Sequence, residues 1–130
     1  MNITEFNEQR SKLGVEGTGL STVTTKNREW KHKTTNEVVF TIPEGSRVHV
    51  YFMPKTYPNK ILVQYGDVVK ISRTQLANEW LKGFTKKPSI RTLEKRSWDG
   101  ISKSVTGKKV EADGYGPDGS PSWELVMGII

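Results

Sequence analysis

The chain has 130 residues, 34% of them hydrophobic, with four Trp, four Tyr and four Phe and a mean hydropathy of −0.58. That suits one compact domain or two very small ones, with a core built largely on aromatic side chains. The lack of cysteine excludes disulfides, thiol nucleophiles and Cys-ligated zinc, and a net charge of +6 at pH 7, with a pI of about 9.6, makes a polyanion the natural partner.

The opening "MNITEFNEQR" has no basic region followed by an apolar run, so no signal peptide is expected. No apolar run approaches the roughly 20 residues of a membrane span. The charge is unevenly spread. Residues 1–69 hold nine Lys/Arg against seven Asp/Glu, residues 70–110 eleven against three, and residues 111–130 none against four. One central segment therefore carries the positive field.

In chain order, "NITEFNEQRSKL" places Ile3, Phe6 and Leu13 at helical offsets, with Gly14 as a stop. "GVEGTGLSTVTTKNRE" reads as a loop with one strand. From residue 30 to 73 the period changes to two. "NEVVFTI", "RVHVYFM", "ILVQY" and "VVKIS" read as strands, separated by the turn "PEGS", the loop "PKTYPNK" and the tight turn "GD". Short strands with brief turns and no intervening helix predict a small antiparallel sheet or barrel, similar to SH3-like barrels in its run of turns. That analogy concerns fold alone.

At Ser72 the period becomes helical. "SRTQLANEWLKGF" puts Leu76, Ala77, Trp80 and Leu81 on one face, with Ser72 or Thr74 as cap and Gly83 as stop. After "TKKP" comes "SIRTLEKRSWDG", a helix capped by Ser89, edged by Ile90 and Leu93 and stopped by Gly100. "ISKSVTGKKVEA" reads as a hairpin turning at Gly107. "DGYGPDGSPSW" is a turn-rich loop that pins Trp123, and "WELVMGII" is an apolar tail. The predicted class is α+β in three segments: helix and loop over 1–29, a β-rich part over 30–73, and helices with hairpin and tail over 74–130.

Helix, short connection, Ser-capped helix and basic hairpin is the order of a winged helix-turn-helix. On "NEWLKGFTKKPS", "SIRTLEKR", "DGI" and "TGKKV" the segment 74–110 resembles the winged-helix module of phage excisionases and related MerR-type regulators. From about residue 84 onward, with "VEADG" and "SPSWELVMGII", it also looks like small phage and prophage proteins. The resemblance implies duplex DNA as partner, cooperative binding to adjacent sites, a bacterial host cytoplasm, and a task in transcription control or recombination. An oligomer is compatible with it. One position departs from the pattern. Relatives carry a core Trp seven residues after the capping Ser, whereas this chain has Arg96 there and Trp98 two positions later. Either the helix end shifts to bring Trp98 into the core, or the helix packs differently.

The residues expected at DNA follow from type and position. Arg91 and Lys95 are one turn apart on the second helix, where Arg suits guanine O6 and N7 and Thr92 suits a thymine methyl or a phosphate. Ser89, at a helix N-terminus, suits a phosphate. Lys86, Lys87, Arg96, Lys103, Lys108 and Lys109 add charge along the backbone. The plainer alternative has Arg91 and Lys95 paired with Glu94 or simply solvated.

Catalysis has no visible support, and the expectation is a non-enzyme without cofactor or metal. His32 and His49 are isolated, and the span Asp113 to Glu124 has calcium-loop length but Tyr115 and Pro117 at ligand positions. Two other functions fit the composition. One is a protein-interaction module acting on a phage or host protein, with Tyr51, Tyr57 and Tyr65 on an exposed face. The other is an RNA or single-strand binder using the β-rich part.

Overall fold

A computed structural model of the chain describes residues 1–15, 17–85 and 87–129. Helix α1 (Ile3–Leu13) opens it. Asn2 caps its start, accepting from the Glu5 amide, and Gly14 closes it in the left-handed region at φ 76°. Strands β1 (Leu20–Val23), β2 (Arg28–Lys31), β3 (Val38–Ile42), β4 (Arg47–Phe52), β5 (Lys60–Tyr65) and β6 (Val68–Arg73) follow. Then come α2 (Thr74–Trp80), α3 (Ile90–Asp99), the hairpin strands β7 (Ile101–Lys103) and β8 (Lys109–Glu111), and α4 (Trp123–Met127). The fold is α+β, and its paired strands run antiparallel.

The main sheet has the order β1-β4-β5-β6, and β2-β3 form a separate hairpin. Among the described residues no barrel closes, because β1 and β6 remain edges. Both faces of the sheet are nevertheless covered. Val48, Val50, Phe52, Ile61 and Val63 point into the larger core, while Leu62, Val69 and Met53 join Phe6 and Val15 beneath α1. Covering both faces explains why "ILV" in β5 is apolar without alternation.

The larger core does not stop at the sheet. It continues through Ala77, Trp80, Leu81, Leu93, Val105, Trp123, Val126 and Met127. Phe52 of β4, Phe84 and Trp123 form a ring triangle with centroids 5.5 to 5.9 Å apart. The strands and the C-terminal helices therefore share one apolar interior.

Two local expectations at α2 change. The helix starts directly from the end of β6, with Arg73 at the cap position and no side-chain cap. Ser72 lies within β6, opposite Ile61 and one residue ahead of the cap position. Among the described residues the buried hydroxyls of Ser72 and Thr74 have no hydrogen-bond partner. The helix also ends before Gly83, because Leu81 turns extended and bridges Thr24 on the β1 side.

Glu124 is a fully buried carboxylate in α4. Ser102 Oγ, itself buried in β7, donates to Glu124 Oε1 at 2.5 Å, and Oε2 has no partner among the described residues. Removing that donor leaves a second buried Glu124 oxygen without a partner among the described residues. Ser102→Ala is expected to destabilise the fold by about 1–3 kcal/mol, read as a lower urea midpoint at unchanged slope.

Candidate nucleic-acid interface

Helix α3 is bounded by strictly local interactions. Ser89 Oγ accepts the Thr92 amide at 3.2 Å, and Gly100 ends the helix at φ 76°. Leu93 is fully buried, with Ile90, Arg96 and Ser97 half-buried beside it. The opposite face carries Arg91, Lys95 and Trp98, which share one side of the helix by their three- and four-residue spacing. Arg91 and Lys95 are exposed, and neither forms an ion pair or a side-chain hydrogen bond with a described residue, Glu94 included.

Trp98 is 91% exposed. It does not enter the core, so of the two outcomes expected for this helix the different packing is the one seen. The position seven residues after Ser89 holds the half-buried Arg96. In the core, Trp123 of α4 packs on Phe52 and Phe84.

The elements run helix, helix, hairpin, yet α2 and α3 flank a groove. The connection between them is stitched down at both ends. The Lys82 amide donates to Val23 O at 2.9 Å, and the Thr85 amide and hydroxyl both donate to Val105 O, at 3.1 and 2.8 Å. These bonds hold the connection against β1 and against the hairpin loop. A groove of about 1040 Å³ lies between the two helices and the hairpin.

The sequence-predicted residues divide around this groove. Lys87, Ser89, Thr92, Arg96 and Lys103 line it. Arg91 and Lys95 lie on the other side of α3, and Lys108 and Lys109 are exposed on the hairpin. Lys86 lies outside the described residues. Burial in the groove wall lowers the pKa of Lys87 from its ordinary value, since its charged form loses hydration. In the hairpin, Lys103 and Lys109 stand directly opposite one another in register. Like charges in that position repel, and neither has an acid to offset it.

The acids lie away from the groove. No Asp or Glu is among its lining residues. Glu94 and Asp99 are exposed on α3, and Glu111 sits across from Ile101 at the far end of the hairpin. Asp118 is lowered to about 2 by hydrogen bonds from Ser120 and Thr106, which tie it into the 116–121 loop. The acidic C-terminal segment thus spends Glu124 in the interior and Asp118 on its own loop.

Sequence reasoning missed the contribution of α2. Gln75 and Asn78, with Asn59 from the β4–β5 loop, form the other side of the groove. Their spacing on "TQLANEW" marks them only as the polar face of an amphipathic helix. Of the tyrosines expected on an exposed face, Tyr57 is 49% exposed. Tyr51 is half-buried under Arg10, whose guanidinium lies 5.0 Å from its ring, and Tyr65 is half-buried against Phe40. No helix among the described residues is long and apolar enough to cross a membrane. No protein family, curated protein or solved structure matches the chain.

Proposed function

We propose that this protein binds double-stranded DNA in a sequence-specific manner, with the exposed face of α3 in the major groove and the β7–β8 hairpin along the backbone as a wing. The observation that carries the reading is the free basic stripe. Arg91 and Lys95 lie one turn apart on α3 without a counter-ion among the described residues, and the hairpin adds Lys103, Lys108 and Lys109. An α-helix with its side chains is about 10–12 Å across and the major groove is about 12 Å wide, so a helix such as α3 fits it by diameter. The lysine pair Lys103 and Lys109 costs stability in the free protein, and phosphates would relieve that repulsion. The reading extends to an excisionase-like role of phage type, as a transcription regulator or a recombination accessory factor in the host cytoplasm.

The test starts from DNA fragments selected by the purified protein. Arg91→Ala is expected to weaken binding to the selected sequence by about 1–3 kcal/mol and to relax preference at one position. Lys95→Ala is expected to lower the slope of log affinity against log salt by about one. Equal losses on selected and unrelated duplexes would remove α3 from the role of reading helix. A second reading, a module that modulates a phage or host protein, rests on Trp98 and on Ile101, which is 54% exposed. Absence of salt-dependent binding to any nucleic acid would favour that reading instead.

A further inference from the structure

The groove between α2 and α3 is chemically two-sided. Its α3 and hairpin side carries Lys87, Arg96 and Lys103, and its α2 side carries Gln75 and Asn78 with Asn59. None of the three cations makes an ion pair or a side-chain hydrogen bond with a described residue. Among the described residues no carboxylate lines the groove to satisfy them. Arg96 and Lys87 are half-buried, so their charges are held in a partly desolvated wall and not spread into water. Three cations lining one groove with no described anion among them repel one another, and a bound anion would reduce that cost. The amide side offers both donors and acceptors, the groups that match the polar edge of a base. The hydroxyls of Ser89 and Thr92 lie on the cationic side, bonded to each other at 2.9 Å, which leaves one O–H to donate to a phosphate oxygen.

We infer that this groove is a nucleotide site, taking a phosphate on Lys87, Arg96 and Lys103 and the edge of a base on Gln75 and Asn78. Its volume of about 1040 Å³ suits one or two nucleotides and not a duplex. The site is separate from the outer face of α3, so it does not depend on Arg91 and Lys95 reading DNA. Two sources share this chemistry, a free nucleotide and the end of a nucleic-acid strand.

Calorimetric titration of the full chain tests the site with three probes: inorganic phosphate, adenosine 5′-monophosphate and a 5′-phosphorylated single-stranded tetranucleotide. The two nucleotide probes are expected to bind more tightly than inorganic phosphate. Arg96→Ala and Lys103→Ala should each weaken all three by roughly tenfold or more, since each removes a charged partner. Gln75→Ala combined with Asn78→Ala should weaken only the two base-bearing probes. Lys103 is exposed, so its variant keeps the test open should Arg96→Ala fold poorly. Tighter binding of the tetranucleotide than of the mononucleotide identifies a strand end as the source, and the reverse identifies a free nucleotide. Equal affinity for phosphate and the mononucleotide, or affinities unmoved by Lys103→Ala, would overturn the inference. The Arg91→Ala/Lys95→Ala protein should bind the mononucleotide as the wild type does, whichever way its duplex titration falls. The two proposals therefore fail separately.

Discussion

Trp123→Ala is expected to cost about 3–5 kcal/mol of stability, a large share of the roughly 5–15 kcal/mol that holds a domain of this size together. The indole is 1% exposed and stands edge-on to both Phe52 and Phe84. Its Nε1 donates to Thr85 Oγ1 at 3.3 Å, and Thr85 in turn donates to Val105 O. One side chain therefore joins the main sheet, the α2–α3 connection, the hairpin loop and α4. Truncating it opens a cavity that side chains from four elements cannot close together, because each is held by its own backbone pairing. Because the apolar interior is continuous, urea unfolding should follow one transition, with sheet and helix probes coinciding in both the wild type and the variant. Helical signal lost well before sheet signal would show that residues 74–130 fold as a unit of their own.

Gly17→Ala is the second large effect. A Cβ built there lies 2.1 Å from Val126 O, 2.5 Å from Val126 C and 2.6 Å from Gly128 N. All three are backbone atoms at the end of α4, so no rotamer change makes room. The segment is also fastened in place. Gly17 O accepts from Arg10 Nη2 at 3.1 Å, and the Thr18 amide lies 3.4 Å from Leu125 O. Adding one methyl must push the loop after α1 away from α4, an overpacking cost of about 1–3 kcal/mol or more. Gly45→Ala is the control. Its Cβ meets nothing within 4 Å, so only its positive φ of 80° counts, and the loss should stay near about 1–2 kcal/mol. Thermal melts of the two variants side by side check the order. A Gly17→Ala midpoint at or above that of Gly45→Ala would show that the loop and α4 are not packed as described.

The candidate site was only partly legible beforehand. "PSIRTLEKRSWDG" reads as a capped helix because Ser89 to Thr92 and Ser97 to Gly100 are contacts three residues apart. The exposure of Arg91 and Lys95 follows from the same spacing once Leu93 is assigned inward. Nothing in that spacing reveals that Arg96 turns into a groove while Trp98 stays outside. The indole that packs beside Phe52 comes instead from Trp123, 25 residues further along than Trp98. Ser72 shows the same limit. Its type suits a helix cap, but β6 runs through it to Arg73, which takes the cap position.

By itself, the sequence determined the parts whose hydrogen bonds close within a few residues. These are the helix cap at Ser89, the helix stops at Gly14 and Gly100, the Gly turns of the hairpins, the apolar strands, and the concentration of positive charge over 70–110. Only the tertiary structure decided how those parts meet. The bonds from Lys82 to Val23 and from Thr85 to Val105 place the α2–α3 connection so that a groove separates the helices. They bring Gln75 and Asn78 to face Arg96 and Lys103. Such bonds join residues tens of positions apart, and their formation rests on the shared apolar interior, which no local pattern encodes.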